Sequence, residues 1–324
     1  MKSHLTCLGI EGTAHTFGAA VVNSKGNILS DARDMYKSES HGIIPSECAM
    51  HHKNIKDRII KEALTASKSE KIGLVAFSAA PGLAPCLRVA KDAAIEIAKD
   101  LNVPVIGVNH SIAHLTSGLL YTEAKDPIYL YLSGANTQII ALINKRFRIF
   151  GEAIDTPLGN ALDKFGREAG LGFPAGPKIE ELAKKGSYIT LPYAVKGMDL
   201  SFAGLVTMAI NLLKKGVSKE DICYSFQETS FSMVAEVTER ALAHTRKNEV
   251  LLIGGVAANK RLSEMLTIMC NERKAKFFAV PLKYAGDNAV MIAWQGILEH
   301  QAGRTDEVPD IRPYERTDQV EVFW

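Results

Sequence analysis

No apolar run in this chain approaches the ~20 residues that a helix needs to span a bilayer, which argues against a membrane-spanning helix. Cysteine is scarce and odd in number: Cys7, Cys48, Cys86, Cys223 and Cys270 are scattered, with no CxxC spacing. That usage suits free thiols in a reducing cytosol better than a secreted disulfide framework. There is no run of five like charges and the formal net charge is +2, so any surface for nucleic acid must be local. Two phosphate-binding fingerprints are also missing, since no glycine-rich loop ends in GK[ST] and no GxGxxG is present. What remains is an ordinary globular composition, 47% hydrophobic and 23% charged over 324 residues. Such a length suggests about two domains and a substantial core without disulfides. A soluble, cytoplasmic protein with no membrane partner is expected.

Leu5–Ile10 and Ala19–Asn23 are apolar runs joined by a small polar connection, Glu11-Gly12-Thr13-Ala14-His15-Thr16, which predicts a β-hairpin. The unit returns ~120 residues later, where Ile128–Leu132 and Gln138–Ile143 flank Ser133-Gly134-Ala135-Asn136-Thr137. This reads as a duplicated domain start. The polar stretch Glu123-Ala124-Lys125-Asp126-Pro127 places a boundary near 125. The expected domains are 1–125 and 126–324, with the last helix and the tail packing back on the first. Helical periodicity over Pro45–Ser67 and Leu87–Asn102 alternates with short buried strands at Gly73–Phe77 and Val105–Val108, so the first half is α/β. In the second half, helices are expected near Asn160–Ala169, Lys178–Lys185, Phe202–Lys215 and Lys219–Thr245. A buried strand, Val250–Ile253, then runs into Gly254-Gly255-Val256-Ala257-Ala258-Asn259, where glycines let backbone amides approach a ligand at a helix start.

His110 and His114 follow the strand that ends at Val108. At i and i+4 on a helix they share one face, close enough for both rings to reach one metal ion. The zinc-protease motif HExxH has a general-base glutamate where this chain has Ser111, so a metal is suggested without peptide hydrolysis. Two ordinary helix histidines are the plain alternative. Read alone, Tyr131 is a strand aromatic, Asp287 a helix N-cap before Asn288–Leu298, and Asp163 and Glu180 solvated helix charges.

Two polar hairpin turns and a late strand-glycine-helix element form the phosphate and nucleoside parts of the actin-like ATPase and sugar-kinase (ASKHA) architecture. Gly9-Ile10-Glu11-Gly12-Thr13-Ala14-His15-Thr16, Asn109-His110-Ser111-Ile112-Ala113-His114, Tyr131-Leu132-Ser133-Gly134-Ala135-Asn136-Thr137-Gln138, Ser201-Phe202-Ala203-Gly204-Leu205 and Gly254–Asn259 occur in that order. In this set the chain resembles the tRNA N6-adenosine threonylcarbamoyltransferase family. Leu191–Asp199 and the ending Thr317–Val322 resemble its archaeal and eukaryotic branch, the catalytic subunit of the KEOPS complex.

The resemblance implies a duplicated α/β actin-like fold, two domains around a nucleotide cleft. It implies one metal ion, iron or zinc, on His110, His114, Tyr131 and Asp287, since N and O ligands suit either. It places an adenine nucleotide, threonylcarbamoyl-adenylate, on Tyr131, Leu132, Ser133, Gly134 and Ala135, with Asp163, Gly176, Glu180 and Asn259 around sugar and base. The reaction implied is carbamoyl transfer to the exocyclic amine of the adenosine after the anticodon in tRNAs reading ANN codons, with AMP leaving. A weak amine nucleophile calls for a polarised carbonyl and two substrates held in line. Glu11 and His15 are candidate catalytic residues on the first turn, where a plain turn role is equally open. The partners implied are tRNA, a small kinase/ATPase that some relatives carry fused after this point, a small dimerising subunit on the N-terminal domain, and a further tRNA-contacting subunit. Lys53, Lys56, Arg58 and Lys61 share one helical segment that suits phosphate, solvent or a partner. Two departures from the family pattern stand out: Ala135 and Ala289 occupy usual glycine positions. A non-catalytic actin-like nucleotide-binding scaffold and a metallopeptidase are the rival readings.

Overall fold

The computed structural model describes residues 5–37, 44–68, 70–304 and 309–324. The chain begins with strands β1 (Thr6–Glu11), β2 (Thr16–Asn23) and β3 (Ile28–Met35), then helix α1 (Pro45–Ala66), β4 (Leu74–Ala80), α2 (Ala84–Leu101), β5 (Val105–Asn109) and α3 (His110–Tyr121). Three strands then come again: β6 (Ile128–Leu132), β7 (Thr137–Ile143) and β8 (Arg146–Glu152). Helices α4 (Leu158–Glu168) and α5 (Gly176–Ala183), the short pair β9 (Val195–Lys196) and β10 (Asp199–Leu200), and helices α6 (Ala203–Lys214) and α7 (Lys219–Thr245) follow. Next are β11 (Glu249–Ile253), α8 (Lys260–Glu272), β12 (Lys276–Ala279), α9 (Leu282–Ala285) and α10 (Ala289–Gln301).

Two compact units result. The first comprises Met1–Leu120, Asn144–Phe147 and Asp287–Trp324, and the second Tyr121–Ile143 and Arg148–Gly286. The sheet of the first has strand order β3-β2-β1-β4-β5; that of the second has β12-β11-β6-β7-β8. Reversed, the second order becomes β8-β7-β6-β11-β12, strand for strand the arrangement of the first. In each unit the first hairpin is antiparallel and its leading strand, β1 or β6, pairs in parallel with a later one, β4 or β11. The repeat in the sequence is therefore a repeat in topology.

Alternation along the first sheet separates two chemistries. Leu8 and Ile10, with Phe17, Val21 and Phe77, join Ile59 of α1 and Val89 of α2 in one buried cluster, each such side chain stabilising the fold by about 1.5–3 kcal/mol. The opposite face carries small residues because α10 lies directly on it. A Cβ at Gly9 would stand 2.4 Å from the carbonyl oxygen of Ala289, and one at Gly296 would stand 2.4 Å from Ala76 Cβ. Those glycines are required by close approach of helix backbone to strand.

The second unit is built around Ile128, Leu130 and Leu132 of β6, Phe165 of α4, and Phe226 and Phe231 of α7. The Phe165 and Phe226 rings stack with centroids 5.3 Å apart. Buried residues lie all round α7, among them Ile222, Phe226, Phe231 and Val237, so this 27-residue helix is the axis of the core rather than a surface layer.

Candidate metal centre

At the end of β5 the chain passes straight into α3. Asn109 Oδ1 accepts the amide of Ile112 at 3.1 Å, a side-chain cap that ends the strand and starts the helix. His110 and His114 then stand one turn apart, their ring centroids 4.7 Å apart and nearly perpendicular. Both are buried.

Asp287 arrives from the far end of the sequence. The N-cap of α10 is Asn288, whose Oδ1 accepts the Met291 amide at 3.1 Å, so the capping role that Asp287 has when read alone falls to its neighbour. Asp287 is left free to point its carboxylate elsewhere, while its main-chain oxygen accepts from Arg33 at 3.2 Å. Its Oδ1 lies 3.2 Å from His114 Nε2 and 3.5 Å from His110 Nε2. One donor atom from each of the three residues falls within a 4.8 Å cluster, a donor set of two imidazoles and a carboxylate that fits iron or zinc.

Glu11 stands behind this set, fully buried. Its Oε2 is 3.0 Å from His110 Nδ1, and its Oε1 accepts from the Thr13 amide at 2.8 Å and the Thr13 hydroxyl at 2.5 Å. With Nδ1–H committed to Glu11, Nε2 of His110 is the nitrogen turned toward Asp287, and release of its proton there would leave the tautomer a metal ligand needs. His15, from the same turn, brings Nδ1 to 3.9 Å from Asp287 Oδ2. The electrostatics follow from two carboxylates under cover. Burial lowers the basicity of His110, yet Glu11 and Asp287 outweigh it and hold the ring up at about 10. For His114 burial prevails over the hydrogen bond to Asp287, and its pKa falls. Burial opposes ionisation of Asp287, but the two rings hold its carboxyl well below the usual range. The pocket therefore demands positive charge, from a proton on His110 or from a cation.

A polar brace fixes α3 against α10. Thr116 Oγ1 donates to Gln295 Oε1 at 2.7 Å, Gln295 Nε2 donates to Glu299 Oε1 at 2.7 Å, and Arg304 links Glu299 to the Gly107 carbonyl of β5. Gln295 is fully buried. Sequence reasoning missed it, although a lone glutamine inside the apolar stretch Ala289–Leu298 is the signal that marks it.

The remaining predicted residues lie in the second unit. Tyr131 and Leu132 are buried at the end of β6, and Gly134 and Ala135 are exposed in the turn beyond it. Ser133 Oγ accepts the amides of Ala135 at 3.2 Å and Asn136 at 2.9 Å. Ala135 keeps a negative φ, so alanine there carries no left-handed strain. Two glycines shape this corner, Gly159 and, from the predicted strand-glycine-helix element, Gly254: a Cβ at Gly159 would stand 2.6 Å from the Ser133 carbonyl, and one at Gly254, at φ +98, would stand 2.2 Å from the Leu132 carbonyl. Asp163 and Glu180 are not idle solvated charges. Asp163 accepts the Ala175 amide at 2.8 Å, which orders the loop before Gly176, and burial raises its pKa. Glu180 accepts the Lys260 amide at 2.8 Å while Asn259 caps the same helix through the Leu262 amide at 3.0 Å, so these two meet at the start of α8. In the first unit, two of the four α1 cations are paired with acids, Arg58 with Asp34 and Glu62 and Lys56 with Asp57 and Glu96. Among the described residues no helix is long and apolar enough to cross a membrane.

Solved structures share the fold at low identity: HypF of T. kodakarensis matches with a TM-score of 0.63 and 17% identity over 92% of this chain and 48% of its own. The Acidaminococcus fermentans (R)-2-hydroxyglutaryl-CoA dehydratase component A matches with a TM-score of 0.54 and 14% identity over 90% of this chain and 98% of its own. The fold is that of the actin-like ATPases and sugar kinases. Two curated relatives, from Methanocaldococcus jannaschii and Methanocorpusculum labreanum, are 51% and 53% identical over 99% and 98% of the chain, and each bears the name "Probable bifunctional tRNA threonylcarbamoyladenosine biosynthesis protein". The chain spans 60% of the length of each. The family model described as TsaD, tRNA N6-adenosine threonylcarbamoyltransferase, matches residues 26–294. On a match of that extent, with relatives this similar, the chain belongs to the TsaD family of tRNA N6-adenosine threonylcarbamoyltransferases.

Proposed function

We propose that this chain transfers the threonylcarbamoyl group of threonylcarbamoyl-adenylate to the N6 amine of the adenosine following the anticodon in tRNAs reading ANN codons, as the catalytic subunit of a KEOPS assembly in the cytoplasm. The observation that carries the reading is the convergence of His110, His114 and Asp287 in a chain of this family. Iron or zinc held by these three would supply Lewis-acid polarisation of an acyl oxygen. Tyr131 enters the ligand set through the family resemblance alone.

The chain's own residues do the rest. Glu11 fixes the His110 tautomer from behind, and the Thr116–Gln295 contact holds the helix bearing both rings. In the second unit, the exposed turn at Gly134 and Ala135, with Ser133, Asp163, Gly176, Glu180 and Asn259, offers amides, hydroxyl and carboxylates of the types that hold phosphate, ribose and base. Holding adenylate and amine together replaces a bimolecular encounter by an intramolecular one. The polynucleotide is tRNA, whose anticodon loop presents unstacked bases and whose binding weakens with salt. A small kinase/ATPase, a small dimerising subunit on the N-terminal domain and a further tRNA-contacting subunit complete the assembly.

The test is transfer of radiolabelled threonine to unmodified tRNA from threonine, bicarbonate and ATP, with an adenylate-forming enzyme and the partner subunits present. Label is expected with wild type and not with His110→Ala or Asp287→Ala. No label with wild type, under conditions where adenylate demonstrably forms, would leave a nucleotide-binding scaffold as the better reading.

A further inference from the structure

A second set of soft donors lies in the first unit, made of residues the transfer chemistry does not use. Cys48 and His52 sit at i and i+4 on α1, the same spacing that pairs His110 with His114, and Cys86 lies in the first turn of α2. The two helices cover the sheet face formed by Leu8, Ile10 and Phe17, which brings the three side chains to one point. Both sulfurs and a ring nitrogen of His52 lie within 4.8 Å of one another. All three residues are fully buried. A fourth polar atom, the carbonyl oxygen of Ala14 in the β1–β2 turn, is 2.8 Å from His52 Nε2 and 2.9 Å from Cys48 Sγ.

We propose that Cys48, His52 and Cys86 form a structural site for a thiophilic divalent cation, zinc by its chemistry. Thiolate and imidazole together select zinc over the hard cations, and a closed, fully buried setting is that of a structural site rather than a catalytic one. Charge points to a divalent ion. Loading it displaces both thiol protons to solvent, and one 2+ ion with two thiolates is neutral, the only state a fully buried pocket holds cheaply. The Ala14 carbonyl can only accept, so in the metal-free chain Nε2–H of His52 donates to it. Nε2 also lies 3.9 Å from Cys48 Sγ, so a cation shared with the sulfurs would take Nε2 in place of this hydrogen bond. The site would clamp α1, α2 and the β1–β2 turn, and that turn carries Glu11, Thr13 and His15 at the first metal centre.

The reduced, metal-free 324-residue chain is titrated with Co(II) while the thiolate-to-metal charge-transfer band is followed. The band should saturate by two equivalents per chain in wild type and at one equivalent in His110→Ala, be competed away by zinc and not by magnesium, survive in Cys223→Ser, and vanish in Cys86→Ser with an unchanged circular dichroism spectrum. The wild-type spectrum alone needs no variant to fold: no thiolate band there overturns the proposal, as does a band that persists in Cys86→Ser or a Cys48–Cys86 disulfide in the isolated protein. Because His110→Ala removes transfer activity and should spare this band, failure here is distinguishable from failure of the transferase reading.

Discussion

Glutamine in place of Glu11 changes almost no volume, yet it cannot satisfy the contacts the carboxylate makes. Oε1 accepts two hydrogen bonds from Thr13 and Oε2 accepts from His110 Nδ1, whereas glutamine offers one oxygen and one NH2 group. If the oxygen stays on Thr13, the NH2 faces Nδ1 and forces the His110 proton onto Nε2, where it blocks the metal side. If the amide turns over, two donors face each other at the Thr13 amide. A buried donor without its acceptor costs about 1–3 kcal/mol. Loss of the partner behind a metal-ligating histidine lowers affinity about 10–100-fold, which is about 1.4–2.8 kcal/mol. The two routes agree, so Glu11→Gln should bind zinc about 10–100-fold more weakly than wild type in competition with a chromophoric chelator at neutral pH. A Glu11→Gln protein that folds and binds zinc as tightly as wild type would refute the reasoning.

Gly9→Ala places a methyl 2.4 Å from the Ala289 carbonyl and should lower stability by at least about 1–3 kcal/mol, read by urea denaturation, because neither strand nor helix backbone can withdraw. Gln295→Leu breaks the links from Thr116 to Glu299 and is expected to cost about 1–3 kcal/mol; a zinc affinity that falls with it would mark the brace as a positioning device, and unchanged stability would dismiss it. Asp155 accepts the amides of Phe202 and Ala203 and the Ser201 hydroxyl at the start of α6, so Asp155→Ala should cost about 0.5–2 kcal/mol at neutral pH. Partial burial opposes its ionisation, but these donors outweigh it and lower its pKa, so the contribution is present above the ordinary carboxylate range and lost as pH falls through the depressed folded value. The gap between wild type and Asp155→Ala should accordingly close in acid denaturation curves.

The two leading hairpins were legible because their strands are uninterrupted apolar runs broken by small polar turns. Their third strands were not. β3, with Asp31, Arg33 and Asp34, and β8, with Arg146 and Arg148, carry charge along their length and lie at an edge of their sheets, where charge guards against unwanted pairing and hides the strand pattern. At the metal centre the histidine spacing is local and could be read directly. Glu11 lies 99 residues from His110, and only the parallel register of β1, β4 and β5 brings them together. The Asp287 carboxylate was obscured by a neighbour with the same capping ability, Asn288. Cys48 and His52 had helical spacing in plain view, but Cys86 lies on another helix, so five cysteines read as scattered thiols.

Synthesis order has a consequence for the first unit. Ribosomes deliver Met1–Leu120 early, but α10, which lies on the glycine-lined face of that sheet, and Asp287 emerge only after the whole second unit has been made. Until then the strands of the first sheet present Cys7, Gly9 and Ala76 with no helix over them, and the two histidines have no carboxylate to face. A nascent chain therefore cannot complete the His110–His114–Asp287 centre for most of its translation, and an amino-terminal fragment ending near residue 120 should be aggregation-prone rather than a smaller working part.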